Sequence, residues 1–478
     1  MTERIPKGFI IAALVLGLAV LAYFCYSAPG YFVSQTYLGG ILGLECLVVA
    51  VWLYRRVFFP IVIVTFLLAG VNLPVGTVWT SARWMVLAAG ALVGAVLVLK
   101  EHGFQFGLFH VIALFAVLAA LGSAAVSLYT TLSLLKVLSL FLLFIYAATG
   151  ARVAVRGRES RFFSGLLLGA EIFVAVIGLL YLAGIQAMGN PNSLGAVMGV
   201  VASPILLWGL MVDESKFVHR RRLVFFALAL YLTFASHARA SMAAAFVSCG
   251  LLCLALRKYK LLIQGIGIIV IVVAASAIAN PEAFSRMASS LTSTVVYKGK
   301  DPAHGVMSSR ESPWRDAIDT IQNHFWFGTG FGTADNGQDV TDDLGKFSST
   351  TLTSAERGSS YLSIISWVGV LGVLPFLALP LLLLKKTLDT VVWMRRTGNP
   401  THPAIPLAMV IVAGTIHAGL EDWMFAPGYY LCVFFWSIAF VFVDYAPSRA
   451  TAVADSRLPF FSRSRFQQQN LGDVAPVR

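Results

Sequence analysis

Thr130 to Gly150 reads TTLSLLKVLSLFLLFIYAATG. It holds one ionisable side chain, Lys136, in a run long enough to cross a bilayer as a helix. Similar runs recur at 8–28, 34–54, 57–73, 84–100, 104–123, 162–184, 194–212, 222–238, 240–256, 261–280, 361–384, 402–420 and 428–445. The runs are continuous rather than alternating, so they read as helices and not as barrel strands. Lipid offers the backbone no hydrogen-bond partners, and a helix satisfies its own. The expected fold is all-α, a polytopic membrane bundle of about 12–14 helices. A content of 58% hydrophobic and 12% charged residues fits that reading and excludes an ordinary soluble domain.

The formal charge of +12 does not require nucleic acid. With the N-terminus inside, most Lys and Arg fall in cytoplasmic segments, among them Arg55, Arg56, Arg152, Arg156, Arg220 to Arg222, Lys385 and Arg395. Both termini are then cytoplasmic. Arg83 is one exception. The other runs from Arg239 through the loop 281–360, and long translocated loops escape the charge rule. The organisation reads as 1–280, about eleven spans; 281–360, one large periplasmic loop; 361–447, about three spans; and 448–478, a disordered cytoplasmic tail. The five cysteines, Cys25, Cys46, Cys249, Cys253 and Cys432, all lie in apolar runs and imply neither a disulfide framework nor a metal cluster.

Within the loop, Ser312-Pro313 is a helix-start signal. Trp314, Ile318, Ile321 and Phe325 recur at helical spacing, with Arg315, Asp319 and Gln322 opposite. This predicts an amphipathic helix in the membrane interface. Gly328, Gly330 and Gly332 end it and permit tight turns.

Arginine is the main chemical signal on the outer face: Arg239, Arg310, Arg315 and Arg357. A guanidinium stays charged and binds phosphate oxygens in pairs. The bland alternative is interfacial anchoring, or pairing with Glu311, Asp316 and Glu356. Asn190 and Asn192, in GNPNSLG, either cap the next helix or contact a head group. Lys136, Glu45, Glu171 and His417 are ionisable groups inside spans, either paired in the bundle or facing a polar cavity. Glu421 and Asp422 stand at an outer helix end and could orient arginines. The sequence has no P-loop, Rossmann fingerprint, HExxH or GxSxG, so no cofactor and no metal site is expected.

Taken together, four segments resemble the O-antigen ligase and polymerase family of bacterial inner-membrane proteins. They are GNPNSLG, HARASMAAA at 237–245, RESPWRDAI with HFWFGTGFG at 310–332, and GSSYLSIISWVGVLG at 358–372. The resemblance implies a GT-C-like bundle acting on an undecaprenyl-diphosphate-linked oligosaccharide at the periplasmic face. It implies catalytic roles for Arg239 and Arg310. It implies substrate contacts from Arg315, Arg357, Asn190, Asn192, Lys136, Tyr361 and His304. A flippase and a chain-length regulator are candidate partners, alongside membrane lipid. One departure stands out: the family's histidine falls at Gly358. Glu356 or His304 would then have to take a proton from the acceptor. The departure favours a polymerase of repeat units over a ligase to lipid A-core or protein. A solute transporter is the rival from another class, and it would place its key groups near the midplane.

Overall fold

The computed structural model describes, single positions aside, residues 53–71, 76–101, 104–212, 215–265, 308–333 and 358–447. The chain is a helical membrane bundle, with no strand among the described residues. The helices are α1 (Arg56–Ala69), α2 (Gly76–Lys100), α3 (Leu108–Ala125), α4 (Thr130–Val155) and α5 (Glu159–Leu182). They continue with α6 (Pro191–Val212), α7 (Lys216–Ala235), α8 (Arg239–Ala255) and α9 (Ser308–Asn323). The last three are α10 (Ser360–Thr397), α11 (Ala404–Leu420) and α12 (Tyr430–Tyr445). Six stretches of these helices are long and apolar enough to cross a membrane, and α1, α8, α11 and α12 are shorter apolar helices. The expected spans 8–28 and 34–54 fall almost wholly outside the described residues, and 261–280 does so beyond residue 265 apart from single positions.

Burial sorts the helices. Every residue of α12 from Tyr430 to Phe442 is buried, as is α11 from Ala404 to Gly414. A helix apolar on all sides belongs inside a bundle. By contrast α3 exposes Leu114, Phe115, Leu118 and Leu121 on one face while Ala113, Ala116, Val117 and Ala120 are buried on the other. Lipid tails are as apolar as leucine, so burial alone does not drive these helices together. Close packing and polar ties do. Gly94 of α2 lies against Gly150 of α4, where any side chain would strike backbone. Gly195 and Gly199 in α6 meet Ser236, Ala238 and Ser241 in the same way. Both α4 and α6 widen into π turns, at Ala147–Ala151 and Val197–Ala202.

Three polar ties lie away from the loop-bearing face. Arg152, almost fully buried, donates through Nε and Nη2 to the Asp444 carboxylate at 2.6 and 2.8 Å, and also to the Gln105 carbonyl. Glu171 is 3% exposed and takes ion pairs from Arg221 and Arg222, both at 2.9 Å. Trp208 Nε1 donates to the Pro400 carbonyl. Removing one partner of such a buried pair costs about 3–5 kcal/mol. Glu171 is thus held inside the bundle by two arginines, which is the structural outcome for that candidate. Glu45 lies outside the described residues.

Candidate functional site

The site grows from α9 and the turn after it. The helix begins at Ser308, four residues before the expected start, and Pro313 sits inside it. As the sixth residue of the described helix, Pro313 has no N–H to give to the Ser309 carbonyl, so the helix runs on with one backbone bond missing. The packed side is narrow. Ala317 is fully buried and Trp314 half-buried, whereas Ile318 and Phe325 are exposed with Trp326 and Phe327. Those four form an apolar fringe suited to the bilayer interface.

Arg310, on the packed side of α9, makes a close ion pair with Glu421, just beyond the end of α11. Both side chains are mostly buried. One turn on, Trp314 Nε1 donates to the Gly358 carbonyl at 3.3 Å. Arg239, the first residue of α8, lies within electrostatic range of Arg310 and Glu421. Two guanidiniums and one carboxylate therefore share this corner, an excess of positive charge. Arg315 is not brought to it. It pairs with Glu311 at 2.9 Å on the exposed side of α9, where such a pair contributes little.

The loop from Glu421 to Tyr429 is tied to the start of α10. Ser360 Oγ donates to the Glu421 carbonyl at 2.8 Å and accepts from the Trp423 and Met424 amides. Ser363 Oγ donates to the Asp422 carboxylate. Below them His417 is fixed in one tautomer. Trp423 Nε1 donates to its Nδ1 at 2.7 Å, so the ring proton sits on Nε2, which faces Ser241 Oγ at 3.1 Å. Both ring nitrogens are engaged, and the ring is buried. His417 is therefore a brace between α8 and α11 rather than a proton acceptor. Tyr361 OH donates to the Thr415 carbonyl at 3.0 Å, another tie of α10 to α11.

The glycine turn explains how the loop is held. Helix α10 breaks at Gly369, with φ 66° and ψ −178°. The break removes the ladder bonds that Val370 and Leu371 would give to Ser366 and Trp367. The turn after α9 replaces both. Val370 and Leu371 donate to the Phe325 and Trp326 carbonyls at 2.9 and 3.2 Å. Thr329 and Gly330 donate to the Ser366 and Trp367 carbonyls at 3.0 and 3.1 Å. Irregular backbone persists at a membrane helix only where protein satisfies it in this way. Gly328 and Gly369 pass so closely that a side chain on either would strike the other strand's backbone.

The other edge of the turn is tied to α3 and α4. Ser123 donates to the Trp367 carbonyl, Ser127 to the Thr329 carbonyl and Ser133 to the Phe331 carbonyl. Lys136 Nζ makes a close hydrogen bond to the Gly332 carbonyl and lies in electrostatic range of Asp422. Phe331 then stacks into an aromatic chain through Trp367, Phe376, Phe425 and Trp436. Lys136→Met should keep the chain folded but loosen the turn. Cleavage by an added protease near 325–333 is the measurement, and unchanged cleavage would show that the bond holds nothing.

Asn190 Oδ1 accepts from the Asn192 amide at 2.9 Å, with Pro191 as the first helical residue, so it caps α6. Asn190 also lines a cavity of about 220 Å³ with Tyr181, Met188, Leu194 and His237. Gly358, where the related histidine would stand, has φ 65°. A Cβ there would lie 2.9 Å from Arg310 Nη1, so the arginine occupies the space a side chain would need. Glu356, Arg357 and His304 lie outside the described residues. The sequence reading passed over Ser360, Ser363 and Ser241. A lone serine in an apolar run carries no visible signal of its partner.

No curated protein matches the chain. Residues 224–377 match the family model described as O-Antigen ligase. The matched stretch runs from α7 past the break in α10 and contains Arg239, Arg310, Gly328 and Gly369. That stretch of this membrane protein is thus similar to the O-antigen ligase family, a family of glycan transfer.

Proposed function

We propose that the protein polymerises oligosaccharide repeats carried on undecaprenyl diphosphate, at the periplasmic face of an inner membrane. The product would be an exopolysaccharide, capsule or O-antigen chain. The observation that carries this reading is the corner where Arg239 and Arg310, both inside the matched O-antigen ligase stretch, meet Glu421 beyond its end. In the transfer, an acceptor hydroxyl oxygen attacks the anomeric carbon of the donor sugar. The bond from that carbon to the diphosphate oxygen breaks, and the diphosphate leaves with the electron pair. Arg239 and Arg310 would stabilise the charge developing on it. The hydroxyl proton passes to a general base, for which we propose Glu356, and Arg357 adds positive charge. The transfer needs no metal in this scheme, so it should continue in EDTA. A flippase and a chain-length regulator would work beside the chain.

Gly358 favours polymerisation over ligation to lipid A-core, because the histidine of the related ligases is absent and a side chain there would be strained at φ 65° and would have to shift Arg310. Restoring it should not create a ligase. Gly358→His is expected to displace Arg310 and abolish transfer to either acceptor. The pairing of Glu171 with Arg221 and Arg222 weakens the transporter reading. The test uses purified protein in nanodiscs with a lipid-linked repeat unit, and the products run on a gel. A ladder supports polymerisation. A single product on added lipid A-core would replace it with ligation. A ladder that survives Glu356→Gln would remove Glu356 as the base.

A further inference from the structure

Arg83, in α2, is only 6% exposed. Its Nη1 donates to the Gly428 carbonyl at 2.9 Å, and its Nε has no partner. The remaining contacts are the ring faces of Phe66 and Trp84, 5.7 and 5.2 Å from the guanidinium carbon. The other buried guanidiniums each face a carboxylate: Arg152 faces Asp444, Arg222 faces Glu171, and Arg310 faces Glu421. Arg83 has none among the described residues. A guanidinium carries five N–H donors, and burying its charge with one carbonyl bond is unfavourable. The missing element is an anion.

The surroundings suit one. Arg83 is on the same face as the arginine corner, because one loop reaches both: Glu421 at its start holds Arg310, and Gly428 near its end holds Arg83. Beside Gly428 the Tyr429 and Tyr430 hydroxyls lie 3.0 Å apart, and Tyr429 OH donates to Ser193 Oγ at 3.3 Å. The opposite side of α2 exposes Met85, Leu92, Val96 and Leu99, so the helix stands at the lipid edge of the bundle. A Cβ on Gly428 would lie only 3.7 Å from Arg83 Nη2. A side chain at 428 would therefore sit in ordinary contact with the guanidinium, where glycine leaves that contact open.

We propose that Arg83, bonded to the Gly428 carbonyl and flanked by the Phe66 and Trp84 rings, is a second anion site that takes a lipid phosphate. The phosphate comes from a phospholipid headgroup or from an isoprenoid carrier. A planar fork of donors matches a phosphate better than a point charge would. The site does not depend on the transfer reading, because it uses none of the residues assigned to that reaction.

The test is native mass spectrometry of delipidated full-length protein. The probes are phosphatidylglycerol, undecaprenyl monophosphate, phosphate-free diacylglycerol and inorganic phosphate, each added separately. Wild type should hold one phosphate-bearing lipid, and the adduct mass identifies its source. Arg83→Met should weaken that adduct by about 10- to 100-fold, the range for losing charge-assisted hydrogen bonds. Gly428→Leu covers the guanidinium without removing it, and the contacts there leave space, so it should weaken the adduct while the protein folds normally. Arg310→Ala should retain the adduct even if it stops transfer. Equal adducts in wild type and Gly428→Leu would overturn the proposal. So would equal retention of diacylglycerol, or binding of inorganic phosphate with no lipid.

Discussion

Arg310→Ala is expected to remove ladder formation, lowering the transfer rate by about 100- to 1000-fold, the range for losing one pre-placed donor to a developing oxyanion. The geometry gives the reason. Arg310 is mostly buried, and Glu421 and the Gly358 turn set its direction before any substrate arrives. A guanidinium held in place needs no reorganisation when the diphosphate departs. Arg310→Lys should recover only part of the rate, because an ammonium is a point charge and lacks the paired donors. Arg315→Ala is the control. Its side chain is exposed and pairs with Glu311, so activity should stay near wild type. Removing Arg310 also takes its ion-pair partner from Glu421. A loss caused by misfolding would be shared by Arg310→Ala with Glu421→Ala, and thermal melts of both variants separate the cases. Normal laddering from a folded Arg310→Ala protein would sink the proposed role.

Much of this was legible in the sequence, and the reasons differ by element. Helices α2 to α6, α8, α11 and α12 follow from apolar runs, since lipid leaves the backbone no other choice. The suspicion that Glu421 or Asp422 orients an arginine was right for Glu421, since charge must be balanced wherever it is buried. Other features were hidden. The helical turn ahead of Ser312-Pro313 was not expected, because that pair is a strong local start signal. The burial of Ala317, between the exposed Ile318 and Phe325 face and the packed Arg310 side, carries no signal of its own. The serines that hold the glycine turn form pairs far apart in sequence. No periodicity reports a bond between Ser127 and Thr329.

The second large effect concerns the break in α10. Gly369→Ala is expected to detach the glycine turn and abolish transfer with it. Two penalties combine. At φ 66° a Cβ is strained by about 1–2 kcal/mol. The same Cβ would also strike the Trp326 carbonyl and the Phe327 nitrogen, which are backbone and cannot swing aside. Relief requires the two strands to part. That breaks the four bonds from Phe325, Trp326, Thr329 and Gly330 and leaves their partners unsatisfied beside lipid. Gly398→Ala isolates the first penalty, for it has φ 63° at the end of α10 with open space around it. It should lower stability by only about 1 kcal/mol and leave the ladder intact. Thermal midpoints of the two variants, with protease cleavage of the turn, compare them directly. If Gly369→Ala behaved like Gly398→Ala, the close crossing of the two strands would not be what holds the loop. Arg310 would then owe its position to Glu421 alone.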